Sequence, residues 1–244
     1  MNKNFFTKTQ SMWFLSFVLS LAANINLAVA DQPEHLFWAN DMVQNVAPDK
    51  NAYATGTTTS YMRWPNVLGD GNYENYTKCA PFLTLLLMKS YGWTNATFSN
   101  WMGSTSPSSD KYFDAINNQN GFTQIDTVSG IQPGDIIAIK YPVGSPVTGH
   151  VMIANSIAYA RTTSSPVVAG THQYEIQVLD SSQSAHGPTD TRIMPDGTID
   201  AGVGIGVFRL YADDTDQIVG YTWSTYNSST YYSVSSRPVV VGRL

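Results

Sequence analysis

The sequence predicts an α+β domain, with helices from the first half packed on an antiparallel sheet from the second half. Two observations predict it. Residues 79–91 (CAPFLTLLLMKSY) are apolar on nearly every face, the pattern of a helix buried on most sides. Beyond residue 134 the chain changes to short apolar or alternating runs separated by Pro, Gly and Asp turns, the pattern of consecutive strands.

The elements follow in order. Residues 31–78 are rich in Asn, Thr, Tyr and Gly and read as irregular, with one helix from His35 to Val46. In the 79–91 helix Pro81 falls in the first turn, where proline is tolerated, and Gly92 supplies the stop. A second helix is predicted over Ser108–Asn117 behind Pro107. Strands are predicted at 135–141, 150–154, 174–180, 203–210, 218–223 and 238–241. There is no internal repeat and no long linker.

Charge narrows the function classes. The 244 residues carry 13 Lys+Arg against 18 Asp+Glu, a net charge of −5. Such a chain is not built to neutralise phosphates, so nucleic acid is not an expected partner.

Residues 1–30 read as a cleavable export signal rather than as fold. Lys3 and Lys8 precede an apolar stretch from Met12 to Ala23, and Ala28-Val29-Ala30 offers a cleavage site after Ala30. The stretch is too short to span a bilayer, which needs about 20 apolar residues. No other segment is long enough, so no stable membrane insertion is expected. The expected product is one exported domain, residues 31–244, periplasmic or secreted.

Export gives meaning to the cysteine count, which is one: Cys79. Oxidising compartments favour cysteines in pairs, so an unpaired one is either a buried passenger or a reactive group. Cys79 begins the predicted 79–91 helix. Free N–H groups and the helix dipole favour thiolate there, and Lys78 adds positive charge. A thiolate nucleophile needs a base, usually His, oriented by a third polar group. His150 opens a short apolar strand after a glycine and is the expected base. Asp180, at the end of a neighbouring strand, is the expected third group, with His186 in reserve. His35 and His172 read as structural or surface residues.

The order of these features resembles a known family. A cysteine heads an apolar helix; Pro133-Gly134-Asp135-Ile136-Ile137 follows, then Gly149-His150-Val151-Met152-Ile153. This looks like the NlpC-type and CHAP-type branch of papain-like cysteine peptidases and amidases, over about residues 70–185. The resemblance implies a papain-like fold with a nucleophile-bearing N-terminal helix packed on an antiparallel sheet. It implies catalysis by Cys79, His150 and Asp180, and a bacterial exported hydrolase cutting peptide or amide bonds, most often in peptidoglycan. The chain departs from the family pattern at Lys78-Cys79-Ala80-Pro81, where Asp-Cys-Ser-Gly is common, and in an apparent insertion at 155–173.

On that resemblance Tyr76 or Tyr73 is a candidate second oxyanion donor beside the Cys79 N–H, against the reading of each as an ordinary loop tyrosine, and Tyr76 and Trp223 are the expected substrate contacts; Trp64 and Trp101 are further groove candidates. The alternating glycines Gly202, Gly204 and Gly206 open no helix and are not a dinucleotide fingerprint; they permit close packing or substrate approach. No cofactor is expected, and the single cysteine with scattered histidines provides no zinc pattern. Asp213-Asp214-Thr215-Asp216 reads as a solvated turn. The alternatives are a non-catalytic exported module that binds glycan or peptide, and an acyltransferase using the same dyad.

Overall fold

Alternation along the strands divides the core in two. The computed structural model describes residues 32–66 and 72–244, which lie in one compact unit; the expected export segment, residues 1–30, lies outside the described residues.

The first part of the chain forms helix α1 (Glu34–Asn45) and three short strands, β1 (Asn51–Tyr53), β2 (Tyr61–Arg63) and β3 (Glu74–Thr77). Helices α2 (Cys79–Tyr91), α3 (Asn95–Met102) and α4 (Ser109–Asn117) follow. Then come β4 (Thr123–Ile125), β5 (Ile136–Lys140), β6 (Gly149–Ala154), the two-residue β7 (Tyr159–Ala160), β8 (His172–Ser182), β9 (Gly202–Ala212), β10 (Ile218–Thr222), β11 (Tyr231–Ser233) and β12 (Val239–Arg243). The predicted α+β class holds. The main sheet has nine strands in the order β11-β10-β9-β8-β6-β5-β12-β4, with β7 paired to β8, and its pairs are antiparallel. A smaller sheet, β1-β3-β2, forms from the stretch expected to be irregular.

Helix α2 has the predicted bounds. Gly92 closes it in the left-handed region at φ 65°, returning its N–H to the Met88 carbonyl. Phe82, Leu83, Leu86 and Leu87 are at most 1% exposed. Each such side chain contributes about 1.5–3 kcal/mol by leaving water. They pack with Ala138 of β5, Val151 and Ile153 of β6 and Leu179 of β8. The alternate residues, Ile139, Met152, Ala154 and Val178, face the other way and join Phe208, Leu210 and Tyr221 in a second cluster. Thus α2 covers one face of β6 and β8, while even-numbered residues such as His150 and Asp180 belong to the other.

Among the described residues no helix is long and apolar enough to cross a membrane.

Candidate active site

Cys79 is the first residue of α2, and its carrier Lys78 is an extended N-cap with no side-chain cap bond. The helix start is therefore left free to serve the sulfur. The thiol is buried, yet it lines a cleft of about 560 Å³ together with His150. Its Sγ lies 3.5 Å from the Ser109 hydroxyl at the start of α4. The Val151 N–H also reaches it.

Gly149 sets His150 at the head of β6. Its φ is +154°, and a Cβ there would stand 1.9 Å from the Ile139 carbonyl oxygen across the sheet. Only glycine lets β6 approach β5 at this point. His150 then turns Nε2 to Asp180 Oδ2 at 2.5 Å. One imidazole nitrogen is thereby spent, which leaves Nδ1 for the sulfur. The cysteine, imidazole and carboxylate expected from sequence are brought together in one contiguous set.

The electrostatics follow from these neighbours. Burial opposes ionisation of Cys79, but the His150 charge and hydrogen bonds from His150, Ser109 and Val151 outweigh it and lower the thiol to about 7. Burial likewise opposes charging of His150, and the Cys79 and Asp180 anions overcome it, raising the imidazole to about 10. Asp180 is itself fully buried. Desolvation pushes its carboxyl up; the Arg192 guanidinium and His186 reverse this and hold it well below the usual carboxylate range.

Behind Asp180 lies a network the sequence reading largely missed. Arg192 reaches Asp180 Oδ1 at 2.7 Å and pairs with both oxygens of Asp190 at 2.9 and 3.0 Å. His186 shares Asp180 Oδ2 at 2.9 Å, and its Nδ1 meets the Trp223 carbonyl at 2.8 Å. His186 therefore supports Asp180 and does not replace it. The glycine alternation in β9 makes room for this layer. A Cβ at Gly204 would meet Arg192 at 2.8 Å, and one at Gly206 would meet Asp190 at 2.2 Å. Close packing, one of the two roles expected for these glycines, is the one observed.

His150, Asp180 and His186 are also the one group of potential metal ligands found among the described residues. Their contacts of 2.5 and 2.9 Å are hydrogen bonds between the ligand atoms themselves.

Trp223 lines the cleft as expected, with its ring 4.7 Å from His150 and 4.3 Å from His186. Tyr76 does not. Alternation in β3 turns Asn75 and Thr77 inward and Tyr76 outward, where its ring packs on Tyr61 and its hydroxyl meets Thr55. Tyr73 is buried and donates to Asp41. The tyrosine beside Cys79 is Tyr53, which lines the cleft and faces the Cys79 N–H. The parallel pairing of β1 with β3 puts Tyr53 opposite Thr77, two residues before the cysteine. No local pattern in the sequence signals that convergence.

The remaining candidates have other duties. Trp101 donates to the Asn120 carbonyl within an aromatic cluster with Trp93, Phe98 and Phe122. Trp64 packs on Trp38. His35 bridges Tyr91 and the Gly134 carbonyl, and His172 pairs with Asp214 at the surface. Asp213 binds Thr215 and the Gln217 N–H in a local turn.

An uncharacterized protein of Acanthamoeba polyphaga mimivirus, R653, is 31% identical to this chain over 223 residues, covering 87% of the chain and 97% of the relative. The chain belongs to the same family as that mimivirus protein. No family model matches the chain, and no solved structure matches it. The name of R653 states no activity, and the chemistry rests on the site.

Proposed function

We propose that this protein is a cysteine hydrolase of NlpC or CHAP character that cleaves amide bonds through Cys79, His150 and Asp180. One observation carries the reading: a lone thiol at a helix N-terminus shares an open cleft with an imidazole whose far nitrogen is held by a buried, ionised carboxylate. A passenger cysteine requires none of these three.

The residues divide the work as follows. The Cys79 thiolate attacks the carbonyl carbon, and the carbonyl oxygen becomes an oxyanion. The Cys79 N–H and the Tyr53 hydroxyl receive it, each donor contributing a few kcal/mol. The His150 imidazolium gives its Nδ1 proton to the departing amine, and the C–N bond breaks to leave a thioester. Water then attacks the thioester as His150 takes its proton, and the acid leaves with the thiol restored. Asp180 fixes the tautomer and stabilises the cation, as a triad carboxylate does. Desolvation by Trp223 strengthens these interactions.

The expected setting is outside the cytoplasm, on the strength of the segment 1–30, and peptide cross-links of peptidoglycan are the substrate the family resemblance favours. The test is digestion of purified peptidoglycan and of short peptides, with fragments identified by mass spectrometry. Wild type should release new amino termini and Cys79→Ala should not. Equal release by both proteins, or by neither on any amide offered, would end the reading.

A further inference from the structure

The cleft walls carry charge of one sign. Lys78 and Arg237 line it, and no aspartate or glutamate does, although the chain as a whole is acidic. Lys78 is engaged, its Nζ donating to the Gly56 carbonyl. Arg237 is not. Of the six arginines, all described, Arg63, Arg161, Arg192 and Arg243 sit against carboxylates, and Arg209 binds the Ser165 and Tyr226 carbonyls. Arg237 has neither kind of partner. Its guanidinium carbon lies 4.4 Å from the centre of the Tyr141 ring and 3.9 Å from that of Tyr232. Those faces hold the cation in place but offer it no counter-anion.

Three donors on this wall are idle. Arg237 Nε, the Tyr221 hydroxyl and Trp223 Nε1 are each buried, and none has a hydrogen-bond partner. Tyr221 faces the Arg237 guanidinium, which can only donate, so the Tyr221 O–H keeps its own proton to give. Folding buries unsatisfied donors only at a cost, so a cluster of them beside a fixed cation marks a place for an acceptor. We propose that the substrate carries a carboxylate and that Arg237 receives it, with Tyr221 and Trp223 as neighbouring donors. The proposal rests on the hydrolase reading of the same cleft. A thiolate that attacks amides takes peptides, and the anionic group of a peptide is a carboxylate. The substrate class is therefore an acidic peptide, or one with a free carboxyl terminus, placed by that group so that the bond to be cut lies over Cys79.

Two alkylating reagents of nearly equal size test this without a known substrate. Iodoacetate carries a carboxylate, whereas iodoacetamide is neutral; both displace iodide with the Cys79 sulfur. In wild type the iodoacetate-to-iodoacetamide rate ratio should exceed that of Arg237→Gln by about tenfold or more, the worth of one charge-assisted hydrogen bond. Arg237→Lys should recover part of it. A ratio independent of residue 237, with both reagents labelling fast, overturns the carboxylate site and leaves the nucleophile standing. Slow labelling by both reagents in wild type near neutral pH overturns the nucleophile, and the carboxylate site with it. Should Arg237→Gln fail to fold, wild type answers alone. The acid N-acetyl-alanyl-glycine should protect Cys79 from iodoacetamide at concentrations where its carboxamide does not. Equal protection by the two overturns the proposal.

Discussion

His150 and His186 hydrogen-bond the same oxygen atom, Oδ2 of Asp180, at 2.5 and 2.9 Å. The other oxygen of that carboxylate belongs to Arg192. Asp180 is thus held by a guanidinium and two imidazoles, and it stays an anion although fully buried. A buried carboxylate with so many partners holds the His150 ring in one orientation. The ring in turn has one nitrogen left, and the sulfur is beside it.

The first prediction concerns pH. Cys79 is lowered from 9.0 to about 7 and His150 raised from 6.5 to about 10. The thiolate is present above the first value and the imidazolium below the second, so the ion pair is populated between them. Activity should rise through about 7 and fall through about 10. Alkylation needs only the thiolate and should rise once, near 7. In Asp180→Asn the imidazolium loses its anion, so the thiol should titrate closer to 9.0, and turnover should drop on the order of 10⁴-fold. A wild-type alkylation midpoint near 9 would refute the ion pair.

In the proposed mechanism Tyr53→Phe removes one oxyanion donor, together with the hydroxyl that faces the Cys79 N–H. The expectation is a fall in kcat of about 10²–10³-fold with KM nearly unchanged. Tyr76→Phe, whose hydroxyl faces Thr55 away from the cleft, should match wild type. A Tyr53→Phe enzyme with full kcat would assign the oxyanion to other donors.

Arg192→Met tests the layer behind Asp180. The substitution leaves the Asp180 and Asp190 carboxylates without their shared cation at sites that are at most 4% exposed. Uncompensated buried charge of this kind costs about 3–5 kcal/mol. For a chain of this size that is a drop in Tm of roughly 10 °C. A calorimetric Tm within about 2 °C of wild type would mean that water reaches these carboxylates.

Cys79, His150 and Asp180 were readable because each sits in a segment with a strong local pattern. The apolar run after Cys79 and the glycine at 92 define α2 without ambiguity. The short runs at 150–154 and 174–180 announce strands, observed at 149–154 and 172–182, and strand parity then puts the His and Asp on one face. Tyr53 and Arg237 were not readable. They reach the cleft through the pairing of β1 with β3 and from the turn before β12, and neither element carries a long-range signal in its own residues. Helix α3 was missed for a local reason: its capping box is Thr94 with Thr97, in place of the glutamate or glutamine that usually marks one. Strands β1 to β4 are three or four residues long, too short for alternation to show.

The glycines of β9 give the last prediction. Gly206 lies beneath the loop that carries His186 and Asp190, and a methyl group there would stand 2.2 Å from Asp190 Oδ2 and 2.7 Å from His186 Cβ. Neither atom is the end of a free side chain, since Asp190 is tied to Arg192 and to the His186 N–H. In Gly206→Ala the loop must therefore move outward, taking His186 from Asp180 and straining the hold on His150. Overpacking of this sort costs about 1–3 kcal/mol, and here it should lower turnover as well as Tm. Gly170→Ala is the matched control. Gly170 also has a positive φ, +72°, but nothing lies within 4 Å of its would-be Cβ. That variant should lose about 1–2 kcal/mol to backbone strain and keep its activity. Were Gly206→Ala to show the same pattern, stability reduced but kcat intact, the layer behind Asp180 would be a structural support with no hold over the His150 imidazole.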